Sequence, residues 1–70
     1  MSKYETLSEQ LTQQIVKNLK QGITALPTEA QIAGQYHVSR QTVRAALSLL
    51  REKGLIESRQ GSGSYATGLS

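Results

Sequence analysis

Apolar residues recur at every fourth position through Leu7, Leu11, Ile15 and Leu19, which draws a stripe along one face of an amphipathic helix. Thr6 and Glu9 have the spacing of a capping box and predict a start near Leu7. Asn18 and Gly22 both tolerate the left-handed backbone that ends a helix, so the pattern alone leaves the end open between them. Pro27-Thr28-Glu29 predicts a second start. Thr28 is placed to accept a bond from the amide of Gln31, and Glu29 suits the positive helix N-terminus. Ile32, Ala33 and Tyr36 then form a short apolar face. His37-Val38 interrupts the run, and Ser39 caps a third helix expected from Arg40 to about Lys53, with Gly54 as its stop.

After Gly54 the period changes from helical to alternating. Leu55–Arg59 and Ser64–Thr67 read as two short strands, and Gln60-Gly61-Ser62-Gly63 between them suits a hairpin turn. The expected architecture is α+β: three helices followed by a two-stranded hairpin. Residues 1–67 form the domain, and Gly68-Leu69-Ser70 reads as the beginning of a linker towards a further domain.

On a wheel of 100° per residue, Arg40, Arg44 and Arg51 share an arc of roughly 40°, flanked by Gln41 and Ser48. Val43, Ala46, Leu47, Leu49 and Leu50 fill the other side. Arginine pairs bidentately with guanine and glutamine with adenine, although most surface helices carry a charged face without such a task. Position favours the task. Arg40, Gln41 and Arg44 stand in the first turns of a helix entered through a tight bend from a short one, the helix-turn-helix arrangement that brings N-terminal side chains to base edges. Ser39 and Thr42 add hydroxyls beside free amides, where an oxygen serves as a cap, a phosphate contact or both. Gly61 and Gly63 answer first to the needs of a turn and only second to a loop tip that enters a groove, with Arg59 and Gln60 as nearby donors.

Composition narrows the classes that remain. A 70-residue chain buries only about 60% of its unfolded surface, too little core for an enzyme with a deep pocket. With no cysteine, neither a disulfide nor a thiolate metal site is available, and no cofactor, metal or catalytic set is expected. The formal net charge of +3 favours an anionic partner. No apolar run approaches the ~18 residues of a membrane span, and Met1-Ser2-Lys3-Tyr4-Glu5 lacks the apolar stretch of a signal peptide. These features point to a cytoplasmic protein without a membrane partner.

Several stretches resemble the N-terminal domain of the GntR family of transcription regulators. They are Tyr4, Leu7, Leu11 and Ile15; Leu26-Pro27-Thr28-Glu29; Val38-Ser39-Arg40-Gln41-Thr42-Val43-Arg44-Ala45-Ala46-Leu47; Gly54-Leu55-Ile56; and Gln60-Gly61-Ser62-Gly63-Ser64-Tyr65. The resemblance implies a winged helix-turn-helix that reads double-stranded operator DNA. It also implies a homodimeric repressor or activator controlled by a small-molecule effector on a C-terminal domain. On that resemblance Ser39, Arg40, Gln41, Thr42 and Arg44 would face bases and phosphates, while Gln60 and Gly61 would carry the wing to the minor groove. Thr28 and Arg59 join them as DNA-contact candidates, Arg59 for its charge beside the wing.

Three positions depart from the family pattern. Ala30 stands where the family often has a DNA-contacting Arg, so that contact is lost or replaced. His37 stands where Gly is usual before Val-Ser-Arg, which implies positive φ there. Asn18 stands where a helix-ending Gly is usual, which favours Asn18 over Gly22 as the stop of the first helix.

Overall fold

Ser2, not Thr6, starts the first helix. The computed structural model describes residues 2–59 and 63–67, and in it α1 spans Lys3–Lys20. The Glu5 amide donates to Ser2 Oγ (3.4 Å) and the Ser2 amide to Glu5 Oε1 (3.1 Å), a complete capping box one turn before the expected one. The two sites have identical spacing. The earlier one adds a turn without changing which residues form the apolar stripe. The Glu5 carboxyl is held below its ordinary value, first by the Ser2 backbone bond and then by the Ser2 hydroxyl.

The other end also differs from expectation. Asn18 stays helical, and Gly22 (φ 80°) takes the left-handed turn. The Ile23 amide donates to the Asn18 carbonyl (2.8 Å) and the Gly22 amide to that of Leu19 (3.0 Å), the paired bonds of a Schellman ending. Asn18 has a side-chain partner within the helix instead, accepting from Gln14 Nε2 at 3.0 Å.

The second helix, α2, spans Glu29–Tyr36, and its Thr28 cap is as expected: the Gln31 amide donates to Thr28 Oγ1 at 3.1 Å. The Thr28 amide donates back to Gln31 Oε1 at 2.9 Å. The third helix, α3, spans Arg40–Glu52, with Ser39 as cap and Gly54 (φ 76°) in a second Schellman ending. Two antiparallel strands follow, β1 at Ile56–Arg59 and β2 at Gly63–Ala66, in a register that pairs Ile56 with Ala66 and Arg59 with Gly63.

The core gathers one stripe from each helix. Leu7, Leu11 and Ile15 of α1 meet Ile32 of α2, Val43, Ala46, Leu47 and Leu50 of α3, and Ile56 of β1. Burying such side chains contributes about 1.5–3 kcal/mol each before entropy is counted. Leu19, Ala33 and Tyr36, placed on apolar faces by their spacing, are half-buried at the core's edge.

One pairing was missed in the sequence. The Leu26 amide donates to the Ser64 carbonyl (3.1 Å) and the Ala66 amide to that of Thr24 (2.8 Å), with Ala25 bridged to Tyr65. The segment before α2 thus lies along the free edge of β2. Its only sequence signal is Ile23-Thr24, a β-branched pair too short to stand out beside Gly22 and Pro27.

Candidate nucleic-acid interface

The bend between α2 and α3 is three residues long, His37 to Ser39. His37 has φ 58° and ψ 47°, a left-handed conformation, and its amide donates to the Ala33 carbonyl. The expected positive φ at this position is therefore present, carried by a non-glycine residue. Val38 follows with its amide on the same Ala33 carbonyl at 3.1 Å. This closure turns the chain sharply enough for α3 to start at once.

At that start, the Thr42 amide donates to Ser39 Oγ at 3.2 Å, and Ser39 Oγ lies 2.9 Å from Thr42 Oγ1. Ser39 is thus a cap, and the two hydroxyls form a pair at the exposed mouth of the helix. The first turns of α1 and α2 carry Glu5 and Glu29, but that of α3 carries no acid and begins with Arg40. A cation at the positive end of a helix disfavours the helix by a few tenths of a kcal/mol. The sequence accepts that cost at this one end, where it concentrates positive charge.

Arg40, Gln41 and Arg44 are all exposed, on the face opposite Val43, Ala46, Leu47 and Leu50. Arg44 Nε donates to Glu29 Oε1 at 3.2 Å, which links α3 to the first residue of α2. Further along the same face, Arg51 Nη1 donates to Ser58 Oγ at 2.7 Å. Thr28 sits at the head of α2, its hydroxyl engaged in the cap. Ala30, the second residue of α2, is exposed and its side chain offers no donor.

The backbone of Arg59 ends β1, but its side chain lies outside the described residues, as do Gln60 and Gly61 and the expected linker at 68–70. Gly63 opens β2 with φ 90°, a left-handed backbone that glycine adopts without strain. Among the described residues, no helix is long and apolar enough to cross a membrane.

This order of elements, with an exposed Arg/Gln face beginning at a tight bend, is the helix-turn-helix followed by a hairpin wing. A family model described as "Bacterial regulatory proteins, gntR family" matches residues 3–65. The chain belongs to the gntR family of bacterial regulatory proteins. Its three helices and two-stranded sheet are the winged-helix DNA-binding domain of that family.

Among curated GntR-family relatives, the mannosyl-D-glycerate transport/metabolism system repressor MngR of Escherichia coli is 44% identical over 63 residues, 89% of this chain and 26% of that protein. The arabinose metabolism transcriptional repressor of Geobacillus stearothermophilus is 34% identical over 67 residues, 96% of this chain and 18% of that one. The chain thus spans about a quarter or less of these relatives' length. The structure of a possible transcriptional regulator, YydK of Bacillus subtilis, superposes over the full chain with a TM-score of 0.86 at 28% identity, covering 31% of that protein. The AraR DNA-binding domain in complex with operator ORX1 superposes with a TM-score of 0.71 at 32% identity, covering 96% of this chain and 81% of that one.

Proposed function

We propose that the chain is the operator-reading part of a longer, homodimeric repressor whose remaining portion binds a small-molecule effector. The observation that carries this is the α3 N-terminus, where Arg40, Gln41 and Arg44 are exposed together immediately after the His37–Ser39 bend. On this reading α3 enters the major groove of double-stranded DNA by its first turns. Arg40 and Arg44 offer bidentate donors to guanine, and Gln41 suits adenine. Ser39 and Thr42 turn their hydroxyls to phosphate, and Thr28 does the same from the head of α2. Arg59, Gln60 and Gly61 bring the wing to the minor groove, whose donor pattern separates A·T from G·C and little else.

The repressor-named relatives and the operator complex of AraR support this reading, as does their greater length, which leaves room for effector binding and dimer contacts. The protein would act in the cytoplasm, where the chromosome is, with no catalysis and no cofactor.

The test begins with duplexes selected by the chain from a random library, set against a scrambled duplex and an RNA hairpin. Replacing Arg40 or Arg44 by Ala should cost about 1–3 kcal/mol on the selected duplex and relax its preference at one base pair. Gln60→Ala should weaken binding and blunt any flanking A·T preference without lowering the melting temperature. Equal affinity for selected, scrambled and RNA probes would replace this reading with that of a non-specific nucleic-acid module. No binding to any duplex at low salt would leave a winged helix used for protein contacts.

A further inference from the structure

The far end of the same helix face holds a cluster that the base-reading residues do not use. Arg51 donates through Nη1 to Ser58 Oγ of β1 at 2.7 Å and through Nη2 to Ser48 Oγ, one turn back on α3, at 3.4 Å. All three side chains are exposed. We propose that Arg51, Ser48 and Ser58 form a binding site for a backbone phosphate of the DNA duplex, at the junction of the recognition helix and the wing. The proposal rests on the DNA-reading function above and adds a contact to it.

Three observations converge. The first is distance. Arg51 shares the face of Arg40 and Arg44 but lies eleven residues beyond Arg40, about 16 Å along the helix. The major groove is only about 12 Å wide. If the first turns of α3 reach base edges, a side chain 16 Å away has passed beyond them and meets the sugar–phosphate chain at the groove's margin.

The second is donor count. Each serine accepts from Arg51, so each hydroxyl hydrogen is left to donate outward. The guanidinium has five N–H groups, and two are occupied. The cluster therefore presents several convergent donors and positive charge, the chemistry of an oxyanion site.

The third is charge. Arg44 is matched by the Glu29 carboxylate, whereas among the described residues Arg51 bonds to the neutral hydroxyls of Ser58 and Ser48, which do not offset its charge. The neighbouring strand residue Glu57 alternates to the opposite side of β1 from Ser58.

The bland alternative is a strut: Arg51 ties β1 to α3 and touches nothing else. Salt dependence separates the two. Each phosphate neutralised adds about 0.9 to the slope of log affinity against log salt. Arg51→Gln should weaken binding to selected and scrambled duplexes by the same factor, roughly tenfold near 0.1 M salt. The ratio between the duplexes should hold, and the slope should become shallower by about one unit. Arg51→Lys keeps the charge and should retain the slope. Ser58→Ala should weaken both duplexes equally, by a smaller factor.

Ethylating phosphates of the selected duplex one at a time gives a second readout. One phosphate whose ethylation impairs the parent should be indifferent for Arg51→Gln. An unchanged slope in Arg51→Gln, whatever its affinity or melting temperature, overturns the proposal in favour of the strut. A collapsed selected-to-scrambled ratio overturns it in favour of base reading. If the parent binds no duplex, the DNA-reading function fails and this site with it. If the parent discriminates normally and Arg51→Gln keeps its slope, only the phosphate site fails.

Discussion

Arg44 Nε lies 3.2 Å from Glu29 Oε1, so the second exposed arginine of α3 is held by the first residue of α2. The bond uses Nε and leaves both terminal nitrogens of the guanidinium for a partner in front of the helix. That is the pair a guanine edge engages through O6 and N7. The pair is open to solvent, with 68% of the Arg44 side chain and 39% of the Glu29 side chain exposed, so its direct contribution to stability is below about 1 kcal/mol. Its consequence is orientation.

Glu29→Ala should therefore lower the melting temperature by only a few degrees. Its effect on binding should run in opposite directions on two probes. Losing a negative charge beside DNA strengthens binding to scrambled duplex, while a freed Arg44 discriminates less at its base pair. The selected-to-scrambled ratio should fall severalfold in a competition assay. A ratio equal to the parent's would mean that Arg44 needs no such support.

His37 permits a direct test of backbone strain. Its φ of 58° costs a non-glycine residue about 1 kcal/mol, and glycine would relieve this at the expense of greater unfolded-state freedom. His37→Gly should be neutral or stabilising by a few tenths of a kcal/mol, and His37→Val should destabilise by about 1 kcal/mol or more. Urea melts measure both. A loss near 1 kcal/mol in His37→Gly would show that the imidazole contributes packing.

Much of this fold was legible because its signals are local. The Thr28 and Ser39 caps, the Gly54 stop and the apolar stripes of α1 and α3 each follow from a few adjacent residues, and each was found where expected. Two misreadings arose where local signals competed. Ser2 with Glu5 and Thr6 with Glu9 satisfy the same capping rule, and Asn18 and Gly22 the same ending rule. The edge pairing of Thr24–Leu26 with β2 was invisible for another reason. It joins segments some forty residues apart, and nothing in a four-residue window reports that proximity. At the interface, the Arg40/Gln41/Arg44 face followed from periodicity. Glu29 and Ser58 as partners of its arginines did not, since both contacts are tertiary.

Glycines in two settings should respond oppositely to the same substitution. A Cβ at Gly34, inside α2, meets nothing within 4 Å, so Gly34→Ala should stabilise by about 0.5–1 kcal/mol through helix propensity. A Cβ at Gly54 is equally unobstructed, but φ of 76° makes any side chain strained there. Gly54→Ala should cost about 1–2 kcal/mol. Thermal melts of the two variants should move apart in sign. Two shifts of the same sign would contradict the backbone assignment at one of them.

Acid should loosen the first turn of α1. The Glu5 carboxyl is lowered in the folded state by its bonds to Ser2, so folding favours its ionised form. Its contribution is complete above the ordinary value of 4.5 and is lost as the pH falls through the lowered folded-state value. Gln at that position preserves the capping box, as Gln31 does for Thr28, but does not titrate. Between pH 5 and about pH 2, Glu5→Gln should therefore lose melting temperature less steeply than the parent. Parallel curves would assign the acid limb to other carboxyls.

The last described residue has a mechanical meaning. Thr67 is tied to the turn that follows α3, its amide on the Leu55 carbonyl at 3.1 Å and its hydroxyl on the Gly54 carbonyl at 2.7 Å. Tension along the backbone at Thr67 therefore bears directly on the turn that closes α3.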